Sequence, residues 1–349
     1  MTSAVGVVAG MALIWGEGGV AGNCFCCGWV ELVWLASGDE VSEKSGMTDL
    51  AGKCLLVLGC GYLGTRLVDE AVSRGMRVKA VSRNLDTLAE ARSIGADVFE
   101  GMVDEAGWHE FAGSEVDFVV NCVSSAGGGL AGYRQSYIGG NESLCKWAEQ
   151  SGFEGRAIYT SSVSVYGDAG GDWVDEDSDC DPSNERGSLV RESEAVFLDG
   201  LWKGTGVVLR LAGLYGPGRH IMLNRLKEGP GELPGWGDYY LNLVRIEDVV
   251  SAVRACLEAV ALTEGIYTVV DDEPALKQDM VEWLAGTLGT PVPEFSGRAD
   301  SSGRASRRLG ETGRPANRRI SNAKLKRAVE WKPYFASFRE GFSDLLERG

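Results

Sequence analysis

Lys53-Cys-Leu-Leu-Val-Leu-Gly59-Cys-Gly61-Tyr-Leu-Gly64-Thr-Arg-Leu-Val68 reads as a short buried strand, a three-glycine turn and the start of an amphipathic helix. Each glycine has its own task. Gly59 permits the tight bend, Gly61 has no Cβ and lets a pyrophosphate lie against the backbone, and Gly64 lets the helix pack close to the strand. Tyr62 and Leu63 lie inside the same turn and complete its set of cofactor-binding residues. The free amides and the positive dipole end of the helix then face the phosphates. Glycine is abundant here, at 49 of 349 residues, so spacing alone says little. The strand before, the helix after and a second strand following make the stretch a dinucleotide-binding fingerprint.

Working outward, apolar strands alternate with helical periods from residue 54 to about 211, which predicts an α/β fold with a doubly wound parallel sheet of the Rossmann type. The first helix ends at Arg74-Gly75, a cationic last turn followed by a glycine. Strands are expected at 77–82, 97–100, 116–122, 156–161 and 207–211, with helices at 85–94, 133–150 and 191–202. Beyond residue 211 the chain is irregular. A helix at 247–259, a strand at 265–270 and a helix at 277–288 read as a smaller C-terminal α/β lobe that would carry the substrate. The expected organisation is therefore a dinucleotide-binding core at 47–211, then 212–349 as mainly substrate-lobe segments with some returning to the core. Gly297 to Arg319 holds seven arginines among Gly, Ser and Ala, and reads as a mobile surface loop.

Residues 1–46 are a different kind of sequence. Apolar runs there are broken by glycines, Glu17 and Glu31, so neither reads as a membrane span, and no Lys or Arg precedes Lys44, as a secretory signal would require. Cys24, Cys26 and Cys27 lack a partner pair at finger spacing, and no metal site is expected. The segment reads as a disordered extension or a start-site artefact, with translation expected to begin at Met47. An intact mass that includes residues 1–46 would contradict this. A net charge of -16 argues against a general affinity for nucleic acid or an anionic membrane. The six later cysteines sit mostly in apolar patterns, as reduced thiols do, and a cytoplasmic location is expected.

At the end of the second strand an Asp or Glu would bind the adenosine ribose of NAD. Ser82-Arg83-Asn84 stands there instead, and a guanidinium pairs with a 2′-phosphate, so NADP(H) is favoured over NAD(H). The fourth strand ends in Asn121-Cys-Val123-Ser124-Ser125, a small exit suited to cofactor contact at Val123 and Ser124.

Taken together with Tyr159-Thr-Ser161-Ser162-Val-Ser164-Val-Tyr166-Gly167, Arg210-Leu-Ala-Gly-Leu-Tyr215-Gly216-Pro217-Gly218 and Arg319-Ile-Ser-Asn322, the chain over roughly 53–345 resembles the extended short-chain dehydrogenase/reductases. These are also called the NAD-dependent epimerase/dehydratase family, and the likeness is nearest to its atypical nucleoside-diphosphate-sugar-epimerase-like members. The resemblance implies that Ser162 orients a substrate oxygen, that Tyr137 and Asn141 match a Tyr and an Asn of the fourth helix, and that a homodimer forms through the helices at 133–150 and 191–202.

One departure outweighs the matches. The family carries Tyr-x-x-x-Lys at the start of the next helix, with the Tyr as general acid/base. Here Arg186 stands at the Tyr position and Val190 at the Lys position. Arginine cannot give up a proton near neutral pH. Tyr166 is the leading replacement acid, ahead of His220 and of the acidic run from Asp172 to Asp179. His109 is expected at the surface. The first reading is an NADP-dependent oxidoreductase or epimerase of a small carbonyl or nucleotide-sugar substrate with a nonstandard proton donor. Its alternative is a catalytically silent NADP(H)-binding sensor or scaffold protein.

Overall fold

The computed structural model describes residues 47–349 except 126–128, 201–204, 230, 300–308, 311–312 and 349. The N-terminal segment 1–46, with Cys24, Cys26 and Cys27, lies outside the described residues. Residues 44–349 form one compact unit.

β1 (Cys54–Leu58), α1 (Gly64–Ser73), β2 (Arg77–Ser82), α2 (Leu85–Ile94), β3 (Asp97–Glu100), α3 (Gly107–Ala112) and β4 (Phe118–Asn121) make the first half. α4 (Gly129–Tyr133), a π-helical segment (Arg134–Gly139), α5 (Gly140–Ser151) and β5 (Arg156–Ser162) follow. A short 3-10 turn (Val163–Val165), β6 (Trp173–Val174), α6 (Glu185–Leu198), β7 (Gly206–Leu211) and β8 (Gly213–Tyr215) come next. The remainder is α7 (Ile221–Lys227), β9 (Glu232–Leu233), β10 (Tyr240–Leu241), β11 (Leu243–Arg245), α8 (Ile246–Glu258), β12 (Gly265–Val269), β13 (Ala275–Leu276), α9 (Lys277–Leu288), β14 (Glu294–Phe295), β15 (Arg319–Ile320), α10 (Ala323–Val329) and α11 (Phe338–Arg348).

Seven strands form one parallel sheet in the order β12-β7-β5-β4-β1-β2-β3. The order reverses between β1 and β4, which opens a crevice at the carboxyl ends of those strands. All five residues of β1 are buried because helices cover both faces. Leu55 and Val57 face a cluster with Leu67 and Val68 of α1 and Val249 and Val253 of α8. Cys54, Leu56 and Leu58 face the other side, with Trp108, Leu144, Trp147 and Phe197. A third, smaller core joins Tyr215, Leu223, Met280, Leu284, Phe338 and Phe342 in the C-terminal segments.

Several elements differ from their sequence reading. α6 begins at Glu185, six residues before the expected Arg191, because Asn184 caps it by accepting the Gly187 N–H at 3.1 Å. Its expected end at Trp202 falls outside the described residues. The helix expected at 133–150 is interrupted by the π-helical segment. Of the elements assigned to the C-terminal lobe, α8 packs with α1 and β12 extends the central sheet, while α9 belongs to the third core. The last residues of the arginine-rich stretch are anchored rather than loose. Arg318 donates to the carbonyls of Gly167 and Val163, Arg319 to that of Gly171, and β15 pairs with β6. Within the acidic run, Glu176 accepts the backbone N–H of Thr268 at 2.6 Å and its hydroxyl at 2.9 Å, which satisfies one backbone donor on the edge strand β12. His109 is half-buried, with Nε2 2.9 Å from the Ser143 hydroxyl.

Candidate functional site

A cavity of about 960 Å³ occupies the crevice at the switch point. Gly59, Gly61, Tyr62, Leu63, Ser82, Arg83, Val123 and Ser124 all line it. Gly64 does not, and its role is to let the wall form. A Cβ on Gly64 would stand 2.2 Å from the Gly59 carbonyl oxygen, and one on Gly59, whose φ is 95°, would stand 2.7 Å from the Val123 backbone. A Cβ on Gly61 would meet nothing within 4 Å, so the bare backbone there faces open space. No side chain caps α1, and although its Thr65 and Leu67 amides donate to the Gly61 and Leu63 carbonyls at 2.9 and 3.0 Å, the positive end of its dipole remains for an anion. This cradle fits the pyrophosphate of a dinucleotide.

The β2 end of the cavity carries one cation and two acids. Arg83 is exposed, makes no ion pair among the described residues, and lies 3.9 Å from the Met102 sulfur through Nη1. The Ser82 hydroxyl accepts the Asn84 N–H at 3.2 Å, and Asn84 in turn caps α2. Asp86 and Asp104 line the same wall, which the sequence reading missed. Asp104 Oδ2 accepts from Gln135 at 3.0 Å, while its Oδ1 is buried with no hydrogen-bond partner. Their positions at the start of α2 and just after β3 were the available signal.

At the carboxyl end of β5, Thr160 and Ser161 line the cavity, whereas Ser162, Tyr166, Arg186 and Val190 do not. Ser162 accepts the Ser164 N–H at 3.2 Å and so caps the short turn that follows it. Tyr166 is 1% exposed, and its hydroxyl accepts from Arg210 Nη1 at 2.8 Å. Arg210 is itself paired with Glu194 at 2.7 Å, both buried, and Glu194 also accepts the Ser161 hydroxyl at 2.5 Å. Burial pushes the Tyr166 phenol well above its usual range. Val190 is core. The Arg186 guanidinium stands 5.6 Å from the Tyr133 ring centroid, with Nε buried and unbonded. Asn141 is buried between strand and helix, accepting from Asn121 at 2.7 Å and donating to the Ser193 carbonyl at 2.9 Å.

Leu211, Leu214 and Arg219, from β7, β8 and the loop after them, also line the cavity. Tyr62 joins that loop to the glycine turn, with Arg66 and Arg219 4.2 and 5.4 Å from its ring centroid and its hydroxyl donating to the Pro217 carbonyl at 3.1 Å. His220 is half-buried, with Nδ1 unbonded.

Residues 55–269 match the profile of the NAD dependent epimerase/dehydratase family. The chain is 30% identical over 258 residues to Protein YeeZ of Escherichia coli K12, covering 71% of this chain and 89% of that protein. Its fold is similar to that of MoeE5 in complex with UDP-glucose and NAD, with a TM-score of 0.70, 20% identity and coverage of 85% and 98% of the two chains. It is also similar to UDP-glucuronic acid 4-epimerase from Bacillus cereus in complex with NAD, with a TM-score of 0.68, 16% identity and coverage of 84% and 99%.

Proposed function

The chain belongs to the NAD dependent epimerase/dehydratase family, and from that premise we propose that it binds NADP(H) and carries out hydride chemistry on a small carbonyl or nucleotide-sugar substrate. The observation that carries the proposal is one cavity lined both by the glycine cradle and by Leu214 and Arg219. A bound nicotinamide would supply or accept the hydride. Gly61 and the positive end of the α1 dipole would hold its pyrophosphate, and Arg219 offers an anionic substrate a cation beside Tyr62.

Preference for the 2′-phosphorylated cofactor rests on Arg83, which is free to pair with it. Asp86 and Asp104 on the same wall favour the opposite reading, because a ribose hydroxyl donates to carboxylates and a phosphate is repelled by them. Ser162, which the resemblance sets against a substrate oxygen, caps the turn after β5 and lies outside the cavity lining, so the proposal gives it no contact with substrate. Tyr166 enters as the anchor of Arg210 rather than as the acid, since its hydroxyl is held away from the cavity. The homodimer implied by the family would be built from a polar surface, since Glu142, Lys146 and Glu149 of α5 and Arg191 and Glu192 of α6 face outward. Among the described residues no helix is long and apolar enough to cross a membrane, and the six described cysteines are free, which supports a reducing, cytoplasmic setting.

The deciding experiment is a screen of NADPH consumption against aldehydes, ketones and nucleotide sugars. Hydride transfer to one of them is expected. Binding of NADPH with no transfer to any would favour the silent sensor.

A further inference from the structure

With Arg186 and Val190 at the usual acid and lysine positions and Tyr166 turned away, hydride chemistry in this cavity needs another proton donor. We propose that Tyr137 is that donor, an inference that rests on the function proposed above. Tyr137 lines the cavity beside Ser136, and these two consecutive residues share one wall within the π-helical segment. Such wide turns re-aim side chains and recur at functional sites.

Elimination among the hydroxyls of the wall points the same way. Tyr62 donates to Pro217, Thr160 to the Asn121 carbonyl and Ser161 to Glu194. The Tyr137 hydroxyl accepts the Ser125 N–H at 3.3 Å and donates to no group among the described residues. Its proton is therefore free for a substrate oxygen. Thr87 donates to the Asn84 carbonyl, and Ser82, Ser124 and Ser136 also line the cavity, but an aliphatic hydroxyl is a far weaker acid than a phenol.

A bound reduced nicotinamide would supply the hydride, and as a substrate carbonyl carbon takes it, the π pair would move to oxygen. That oxygen takes the Tyr137 proton, the phenolic O–H bond breaks, and its electron pair stays on Oη against the Ser125 N–H. Solvent then returns the proton. Burial keeps the phenol above its ordinary value of 10.0, so the neutral donor persists through the physiological range.

The test compares wild type with Tyr137→Phe, using NADPH with 4-nitrobenzaldehyde and NADP+ with UDP-glucose as probes. NADPH affinity should stay within about twofold while transfer falls by about 10²–10⁴-fold. The wild-type rate with NADPH should be flat from pH 6 to 9 and decline only above about 10. In the protein without cofactor, the 295 nm difference between wild type and the variant should likewise rise only above about pH 10. Transfer within threefold of wild type, lost NADPH binding, or a phenol already ionised at pH 8 would overturn the assignment of Tyr137 alone. NADPH binding with no transfer by the wild-type protein to either probe would overturn the enzymatic reading, and this inference with it. Should the variant not fold, the wild-type pH profile still decides.

Discussion

At the β1–α1 side of the cavity, backbone builds the site: Gly59 bends it, Gly61 bares it and Gly64 lets the helix close on the strand. At the β5–α6 side, side chains build it, and most are spent on one another. Glu194 holds Arg210 and Ser161, Arg210 holds Tyr166, and Ser162 holds its own turn. The first side is shaped to receive a ligand and the second to keep its shape. The family's name therefore describes what the first side holds, while the proposed chemistry depends on a hydroxyl that neither side ties up, that of Tyr137 in the π-helical segment.

That contrast can be broken at its strongest point by Glu194→Ala. The substitution leaves the Arg210 guanidinium buried without its carboxylate and should cost about 3–5 kcal/mol in urea unfolding. A loss under about 1 kcal/mol, the scale of an exposed pair, would mean that this side is less committed than its hydrogen bonds suggest. Gly64→Ala probes the other side. Its methyl group would press on the Gly59 carbonyl, so a loss of about 1–3 kcal/mol is expected. NADP+ affinity measured by calorimetry should fall at least about tenfold with it, equivalent to about 1.4 kcal/mol.

Arg83→Ala sharpens the cofactor reading. NADP+ binding should weaken by about tenfold while NAD+ binding moves by less than about twofold. Equal loss for both would assign Arg83 to adenine stacking instead. The mildest effect is expected at Asp248 of α8, which lines neither side. This buried carboxyl accepts the N–H groups of Tyr334 and Phe335, and burial raises it from 3.8 to about 7, with Glu247 adding repulsion and Arg245 opposing the rise. A group that binds its proton more tightly when folded stabilises most at low pH, and that contribution is lost as pH climbs from 3.8 to about 7. Asp248→Asn should flatten the decline of melting temperature between pH 5 and 7, and an unchanged slope would remove Asp248 as its source.

The same contrast explains what was legible in the sequence. Glycine spacing reports backbone directly, so the cradle and the small exit at Val123 and Ser124 could be read before any coordinates. The alternation of strands and helices likewise announced the parallel sheet, since a strand buried on both faces must be apolar throughout, as Cys54–Leu58 is. Where a hydroxyl points was not legible. Ser162 and Tyr166 match the family by position, yet their partners, Ser164 and Arg210, come from a turn and from a neighbouring strand. Asp104 and Tyr137 reach the cavity from a loop and from a π-helical segment that no hydrophobic period signals. The start of α6 was missed because the capping residue Asn184 lies outside the apolar period used to place the helix.

The most direct measurement is calorimetric titration of the purified chain with NADP+ and with NAD+ under identical conditions. The account predicts one dinucleotide bound per chain, with NADP+ the tighter of the two. Failure of both to bind would contradict the cradle, and tighter binding of NAD+ would contradict the role given to Arg83.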